Sequence, residues 1–395
     1  MRTTFLLCFL GLLGCSGEDA ASQPNGSGGS SGASTGGAGA GSSGAAGASG
    51  GQAGAATGGN AGNGASAGSG GNTVGMFVAQ GHMGRTLRSC DDGETWIDDK
   101  SDDAAAKCFS GSVDCDHNAG AANGIVFHQG AFYATYGWGT PGGIRKSADG
   151  VQWEEVLTGT TFGGIAASPS LLVAAAREPQ TSADQGGTWS KQASLSIGNI
   201  WNIREAAFSG GADGRFVMAG NDGADRVIAV SADGKNFDAP SFPGDCDVSF
   251  YRSGGIAAGA GAIVISDGGA KACRSTDAGA SWSTVDIGSD FDSQLLHDGK
   301  QFVAYKTGTR LSSVDGAVWQ STPTVPGSLS LGVIAVSDQG TYVGVRGGWD
   351  TWYEKQRFYR SADGIAWQEL PAGSFSGGHP IIHMAFGRVP AALCP

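Results

Sequence analysis

The sequence predicts an all-β fold: a seven-bladed β-propeller of four-stranded blades, closed by its C-terminal strand and preceded by a disordered tether. Three observations carry that reading. A short motif, Ser-x-Asp-(x)-Gly-x-x-Trp/Phe, occurs seven times between Ser89 and Trp367. Each copy sits between two β-rich runs, as residues 143–146 and 153–157 flank the copy that begins at Ser147. One further run of first-strand character, residues 380–386, stands alone after the last copy.

The motif serines are Ser89, Ser147, Ser182, Ser231, Ser275, Ser313 and Ser361, spaced by 58, 35, 49, 44, 38 and 48 residues. That period suits four short strands per unit. Every residue of the motif has turn chemistry to do. The Asp offers a short acceptor to nearby backbone N–H groups, and the Gly accepts positive φ. The Ser satisfies a further backbone group, and the aromatic packs on the neighbouring repeat. Asp91, Asp149, Asp184, Asp233, Asp277, Asp315 and Asp363 are therefore assigned to the scaffold. The motif resembles the Asp-box, or BNR repeat, of the sialidase-like β-propeller superfamily.

In chain order, residues 1–14 read as a lipoprotein signal peptide. Arg2 gives the positive start, residues 5–13 are an apolar stretch too short to span a bilayer, and Leu12-Leu13-Gly14-Cys15 resembles a bacterial lipobox. The resemblance implies cleavage before Cys15, acylation of that residue and, with Ser16 next, an outer-membrane lipoprotein facing periplasm or cell surface. Residues 15–73 form the tether. They are almost entirely Gly, Ala, Ser, Asn, Gln and Thr with no aromatics, and cannot bury enough apolar surface to offset the entropy of ordering. Residues 74–395 form the propeller domain, about 320 residues that a closed ring of repeats can carry as one unit.

First strands read as small apolar runs, such as residues 123–128, 164–167, 204–207, 255–258, 294–296 and 332–335. Second strands follow at 131–136, 171–174, 215–218, 262–265, 301–304 and 341–344. The first copy has no first strand of its own, since residues 76–79 already read as a second strand. Residues 380–386 are expected to complete that blade and close the ring, removing the exposed edges of an open sheet.

With Cys8 in the leader and Cys15 acylated, six cysteines remain: Cys90, Cys108, Cys115, Cys246, Cys273 and Cys394. An even number in an exported chain points to disulfides. The expected pairs are Cys108–Cys115, Cys246–Cys273 and Cys90–Cys394, with no Cys-x-x-Cys cluster to suggest a metal. Asp114-Cys115-Asp116-His117-Asn118 lacks the regular oxygen spacing of a calcium loop. A net charge of −12 argues against a nucleic-acid partner, which requires a basic stripe. No phosphate loop or dinucleotide fingerprint is present, so no cofactor is expected, and the domain is read as a monomer touching the membrane through its anchor alone.

The boxes occupy the turn between third and fourth strands, which leaves the opposite face for a ligand. Loops on that face carry Trp138, Trp201, Asn202, Asp292, Trp349 and Trp352, aromatics beside polar groups that suit a protein or carbohydrate ligand. His82, Tyr136 and His379 fall on the same face. The favoured function is binding without catalysis, as in Asp-box propellers of sorting receptors and photosystem assembly factors. The alternative implied by the resemblance is a glycoside hydrolase or exo-sialidase. Its candidates are Arg177, Arg204, Arg252 and Arg346 for a substrate carboxylate, with Tyr251 and Glu205 as the nucleophilic pair. The Arg-Ile-Pro motif of catalytic sialidases does not occur, and sialidases generally have six blades.

Overall fold

The computed structural model describes residues 72–100, 121–138, 142–193, 195, 202–211, 213–222, 225–246, 254–346, 357–371 and 379–395. The leader, Cys15, nearly all of the tether, Cys108 and Cys115 lie outside them. The described residues form seven antiparallel sheets and no α-helix, so none is long and apolar enough to cross a membrane.

Each sheet is one blade, and its strands are taken here from the axis outward. Blade 1 is Ile381–Pro390, Thr73–Gly81, Thr86–Ser89 and Ile97–Lys100. Blade 2 is Ala121–His128, Ala131–Trp138, Gly143–Ser147 and Glu154–Thr158, and blade 3 is Ile165–Ala167, Leu172–Ala174, Gln180–Ser182 and Ser190–Lys191. Blade 4 has Asn202–Phe208, Phe216–Asp222 and Asp225–Ser231. Blade 5 is Gly255–Gly259, Ala262–Ser266, Lys271–Ser275 and Ser283–Asp286. Blade 6 is Leu296–His297, Phe302–Lys306, Thr309–Ser313 and Gln320–Pro323, and blade 7 is Val333–Val336, Tyr342–Val345, Phe358–Ser361 and Gln368–Glu369.

The C-terminal strand closes the ring in blade 1, pairing with Thr73–Gly81 in a register that runs from Thr73↔Pro390 to Gly81↔Ile381. It is longer than the run legible in the sequence. One departure concerns blade 4, where the fourth position is held by a single antiparallel bridge, Val230↔Asp238. Pro240 and Pro243 follow at once, and proline cannot donate to a ladder.

The core is a set of wedges between blades, a consequence of period-2 alternation along each strand. In Thr73–Gly81, Phe77 and Ala79 pack with Val343, Val345 and Phe358 of blade 7. Met76 and Val78, pointing the other way, pack with Ile125, Phe132 and Ala134 of blade 2. Five analogous boundaries complete the circuit between neighbouring blades. Each buried large apolar side chain contributes about 1.5–3 kcal/mol, and a lone blade would leave both its faces wet. Near the axis the first strands almost touch. A Cβ added to Gly164 would lie 2.7 Å from the Ala206 nitrogen of blade 4, so no side chain fits there.

Candidate functional site: the loop face

The two faces of the disc are built differently, and the box face explains itself. In all seven boxes the Ser hydroxyl donates to the Asp Oδ1, at 2.8 to 3.1 Å. In six of them that hydroxyl also accepts the N–H of the box glycine. The boxes fall into two classes that the motif alone does not separate. Four short boxes turn directly at Gly and give Asp Oδ1 two successive backbone N–H groups, as Val151 and Gln152 give Asp149, both at 2.8 Å. Three long boxes insert one residue, and the inserted Asp92, Gln185 or Ala278 takes positive φ, 58°, 59° or 56°. Each long box then has a hydroxyl, Thr95, Thr188 or Ser281, donating to the second carboxylate oxygen at 2.5, 2.7 and 2.5 Å. These donors hold Asp184 and Asp277 down to about 2, the side-chain hydroxyl being the largest cause in each.

The box also grips its neighbour. Each box aromatic packs in the wedge shared with the preceding blade, Trp96 and Trp367 directly and Trp153, Trp189, Phe237, Trp282 and Trp319 at its margin. The backbone carbonyl just before the box glycine accepts a bond from that blade at four boundaries: Arg88 to Asp149, Tyr133 to Gln185, Arg274 to Asp315 and Arg360 to Asp92. A Cβ on the box glycine would strike the same preceding blade, at 2.7 Å from Val78 for Gly150 and 2.6 Å from Val264 for Gly316.

On the loop face a polar cluster spans blades 1 and 2. Arg85, fully buried in the turn after the second strand of blade 1, clamps Asp99 of the fourth strand through Nε and Nη2, both at 2.9 Å. Its Nη1 donates to the His379 carbonyl at 2.6 Å. The buried His82 and His379 rings meet edge to face with their Nδ1 atoms 3.4 Å apart. Burial, and then the neighbouring His379, lower the His82 pKa to about 4. In blade 2 the Arg145 guanidinium lies 4.0 Å over the Tyr136 ring, and the Tyr136 hydroxyl donates to Glu155. Burial, then that carboxylate, push the phenol pKa up. Between these groups is a small cleft, about 220 Å3 out to open solvent, lined by Gln80, Gly81, Gly84, Arg85, Ala134, Tyr136 and Arg145. Of its two cationic lining residues, Arg85 is ion-paired with Asp99 and Arg145 stands opposite Glu155 in strand register.

Of the residues expected from sequence, several are placed. Arg177 is half-buried beyond the second strand of blade 3, where its carbonyl accepts the Leu195 N–H at 2.9 Å. Glu205 is half-buried on the first strand of blade 4, beside a register shift at Arg204, and reaches to 4.0 Å from where a Cβ on Gly255 of blade 5 would stand. Asp292 is exposed at the entry to blade 6 and Arg346 is exposed at the end of the second strand of blade 7. They are thus distributed over blades 3, 4, 6 and 7. Trp138, Asn202 and Arg204 are fixed in backbone only. Trp201, Tyr251, Arg252, Trp349 and Trp352 lie outside the described residues, as does the 114–118 loop. Among the described residues no three His, Cys, Asp or Glu side chains are grouped as a metal site requires. Arg85, Asp99, Arg145 and Glu155 were not expected. The available signal was cross-strand charge pairing, since Arg145 stands opposite Glu155 in register.

The chain matches no protein-family model and no curated protein. Its fold is similar to solved structures at low identity. Virginiamycin B lyase from Staphylococcus aureus is 12% identical, with 68% of this chain and 94% of that one covered and a TM-score of 0.49. Apo AztD from Citrobacter koseri is 12% identical, with 80% and 99% covered and a TM-score of 0.48. YCF48 from Cyanidioschyzon merolae is 14% identical, with 63% and 83% covered and a TM-score of 0.44. The strand order and ring closure define the fold here, independently of these neighbours.

Among the described residues two disulfides are formed, Cys90–Cys394 across the ring seam and Cys246–Cys273 between blades 4 and 5. They fit an oxidising environment.

Proposed function

We propose that the chain is an exported, membrane-anchored lipoprotein whose propeller binds a protein or glycan through its loop face, without catalysis. The observation that supports this is the asymmetry of the disc. Every box carboxylate is engaged by its own turn, whereas the connections on the opposite side carry Trp138, Trp201, Trp349 and Trp352 in the sequence. Arg177, Glu205 and Arg346 add charged groups on blades 3, 4 and 7. The anchor at Cys15 and the Gly/Ser/Ala tether would hold the binding face away from the membrane.

The test is a panel of fluorogenic glycosides, a sialoside included, alongside a glycan array and cross-linking to envelope proteins, all with the full-length chain. The expected outcome is no turnover and a ligand lost on combined Arg177→Ala and Arg346→Ala substitution. Turnover that disappears in Glu205→Gln would replace this reading with a glycoside hydrolase.

A further inference from the structure

We propose that the Cys90–Cys394 disulfide is a redox-operated latch on the ring seam, opened by a dithiol reductant while Cys246–Cys273 stays closed. The two bonds occupy opposite environments. Cys246 and Cys273 are both 0% exposed inside an apolar wedge with Ile228, Ile256 and Ile265. Cys90 and Cys394 are each only half-buried, at the margin of the wedge between blades 1 and 2. A thiolate must approach a sulfur directly to exchange with it, so access separates a labile bond from an inert one.

The labile bond stands where the ring is joined. Cys394 ends the short turn Ala391–Leu393 that follows the closing strand, and Cys90 lies in the first box, 304 residues away in sequence. Two other contacts hold this turn. The Ala391 N–H donates to the Asn72 carbonyl at 2.9 Å, and Arg88 Nη1 donates to the Leu393 carbonyl at 2.6 Å. That same Nη1 also donates to the Asp149 carbonyl of blade 2, at 2.9 Å. The latch thus ties the chain end to the guanidinium that joins blades 1 and 2.

The chemistry is thiol–disulfide exchange. A reductant thiolate attacks Cys394 Sγ, the Cys90–Cys394 bond breaks, and Cys90 leaves as a thiolate that takes up a proton. The second reductant thiol then attacks the mixed disulfide, releasing Cys394 as a thiol and the reductant as its own disulfide. Two electrons pass to the protein, which gains two protons. The closing strand keeps its backbone pairing with Thr73–Gly81, so the propeller stays closed. What changes is the rate at which the seam unzips from the Cys394 side, a kinetic form of stability.

The experiment exposes the folded full-length chain to graded dithiothreitol at neutral pH, alkylates, and maps each cysteine by peptide mass spectrometry. Site-resolved mapping keeps Cys108 and Cys115 out of the comparison. The expected result is joint labelling of Cys90 and Cys394 before any label on Cys246 or Cys273, with an unchanged far-ultraviolet spectrum and unfolding in denaturant at least tenfold faster. The Cys90→Ser/Cys394→Ser double variant should unfold at the reduced protein's rate and ignore reductant. Simultaneous labelling of all four cysteines would overturn the proposal, as would equal unfolding rates for oxidised and reduced protein. If the double variant fails to fold, the reduction series on the unaltered chain decides alone.

Discussion

The box face and the loop face are made by the same seven repeats, yet only one of them is specified by a repeated sequence. On the box face each turn must satisfy the same backbone donors and clear the same neighbouring strand, so seven copies converge on Ser, Asp, Gly and an aromatic. On the loop face no common constraint acts, and the connections differ in length and chemistry from blade to blade. Repetition therefore marks scaffold here, and departure from repetition marks the surface open to specialisation.

Acid gives the largest expected effect and orders the two kinds of group. Burial lowers the pKa of His82, His128 and His383 to about 4 each, from an ordinary 6.5. Their folded-state values lie below the unfolded ones, so the unfolded chain takes up protons first as pH falls. Stability is complete above pH 6.5 and declines toward pH 4, by roughly 3 kcal/mol per histidine. The box carboxylates add nothing in that window, because Asp184 and Asp277 stay ionised down to about 2. Their contribution is lost only at lower pH. A denaturant midpoint followed from pH 8 to 3 should fall mainly between 6.5 and 4, and a His128→Gln variant should flatten that fall. A midpoint that holds steady to pH 4 would contradict the buried, neutral state of these rings.

Glycine substitution separates the faces next. Gly316 has φ +75° and a Cβ there would lie 2.6 Å from Val264 of blade 5, so Gly316→Ala combines left-handed strain with a clash. Its cost should be about 3 kcal/mol. Gly159 leaves the fourth strand of blade 2 on the loop face, at φ +92° with nothing within 4 Å of the added atom. Gly159→Ala should cost about 1 kcal/mol, from backbone strain alone. Thermal midpoints of the two variants make the comparison, and equal losses would mean that the box glycine is not a contact between blades.

These differences account for what could be read in the sequence. The boxes, the strands around them and the displaced closing strand were legible because each is fixed by local backbone chemistry and period-2 patterning. The second class of box was harder to see, since Thr95, Thr188 and Ser281 look like ordinary turn residues until their hydroxyls reach Asp Oδ2. That the fourth position of blade 4 is held, among the described residues, by a single bridge was hidden by a box that looks complete, Ser231 to Phe237, ahead of Pro240. The Arg85 and Arg145 cluster was hidden for a different reason. Both residues sit in strand-like stretches, and only the ring brings blades 1 and 2 together with the His379 segment from the far end of the chain.

Within the boxes a smaller contrast is available. Thr188→Val keeps the shape of a long box but deletes the donor to Asp184 Oδ2, leaving the backbone bond from residue 188 at 2.8 Å. Stability should fall slightly and the Asp184 pKa should rise, since its largest stabilising donor is gone. Gln152→Val, at the same place in a short box, removes no side-chain bond to Asp149, whose Oδ1 is held by backbone N–H groups. It should be neutral within about 0.5 kcal/mol. Carboxyl titration by NMR, together with denaturant midpoints, distinguishes the two.

The smallest effect on stability belongs to the loop face, and there it carries the functional argument. Arg346 is exposed at the end of a blade 7 strand, and Asp292 is exposed at the entry to blade 6. Removing either side chain uncovers no wedge between blades, so Arg346→Ala and Asp292→Ala should each shift stability by less than about 0.5 kcal/mol. A ligand that docks across this face would nonetheless lose affinity, mainly through faster dissociation. Stability and ligand affinity are therefore expected to move independently on this face and together in the boxes. Loss of folding in Arg346→Ala would place that residue in the scaffold and leave the face without its charged contact on blade 7.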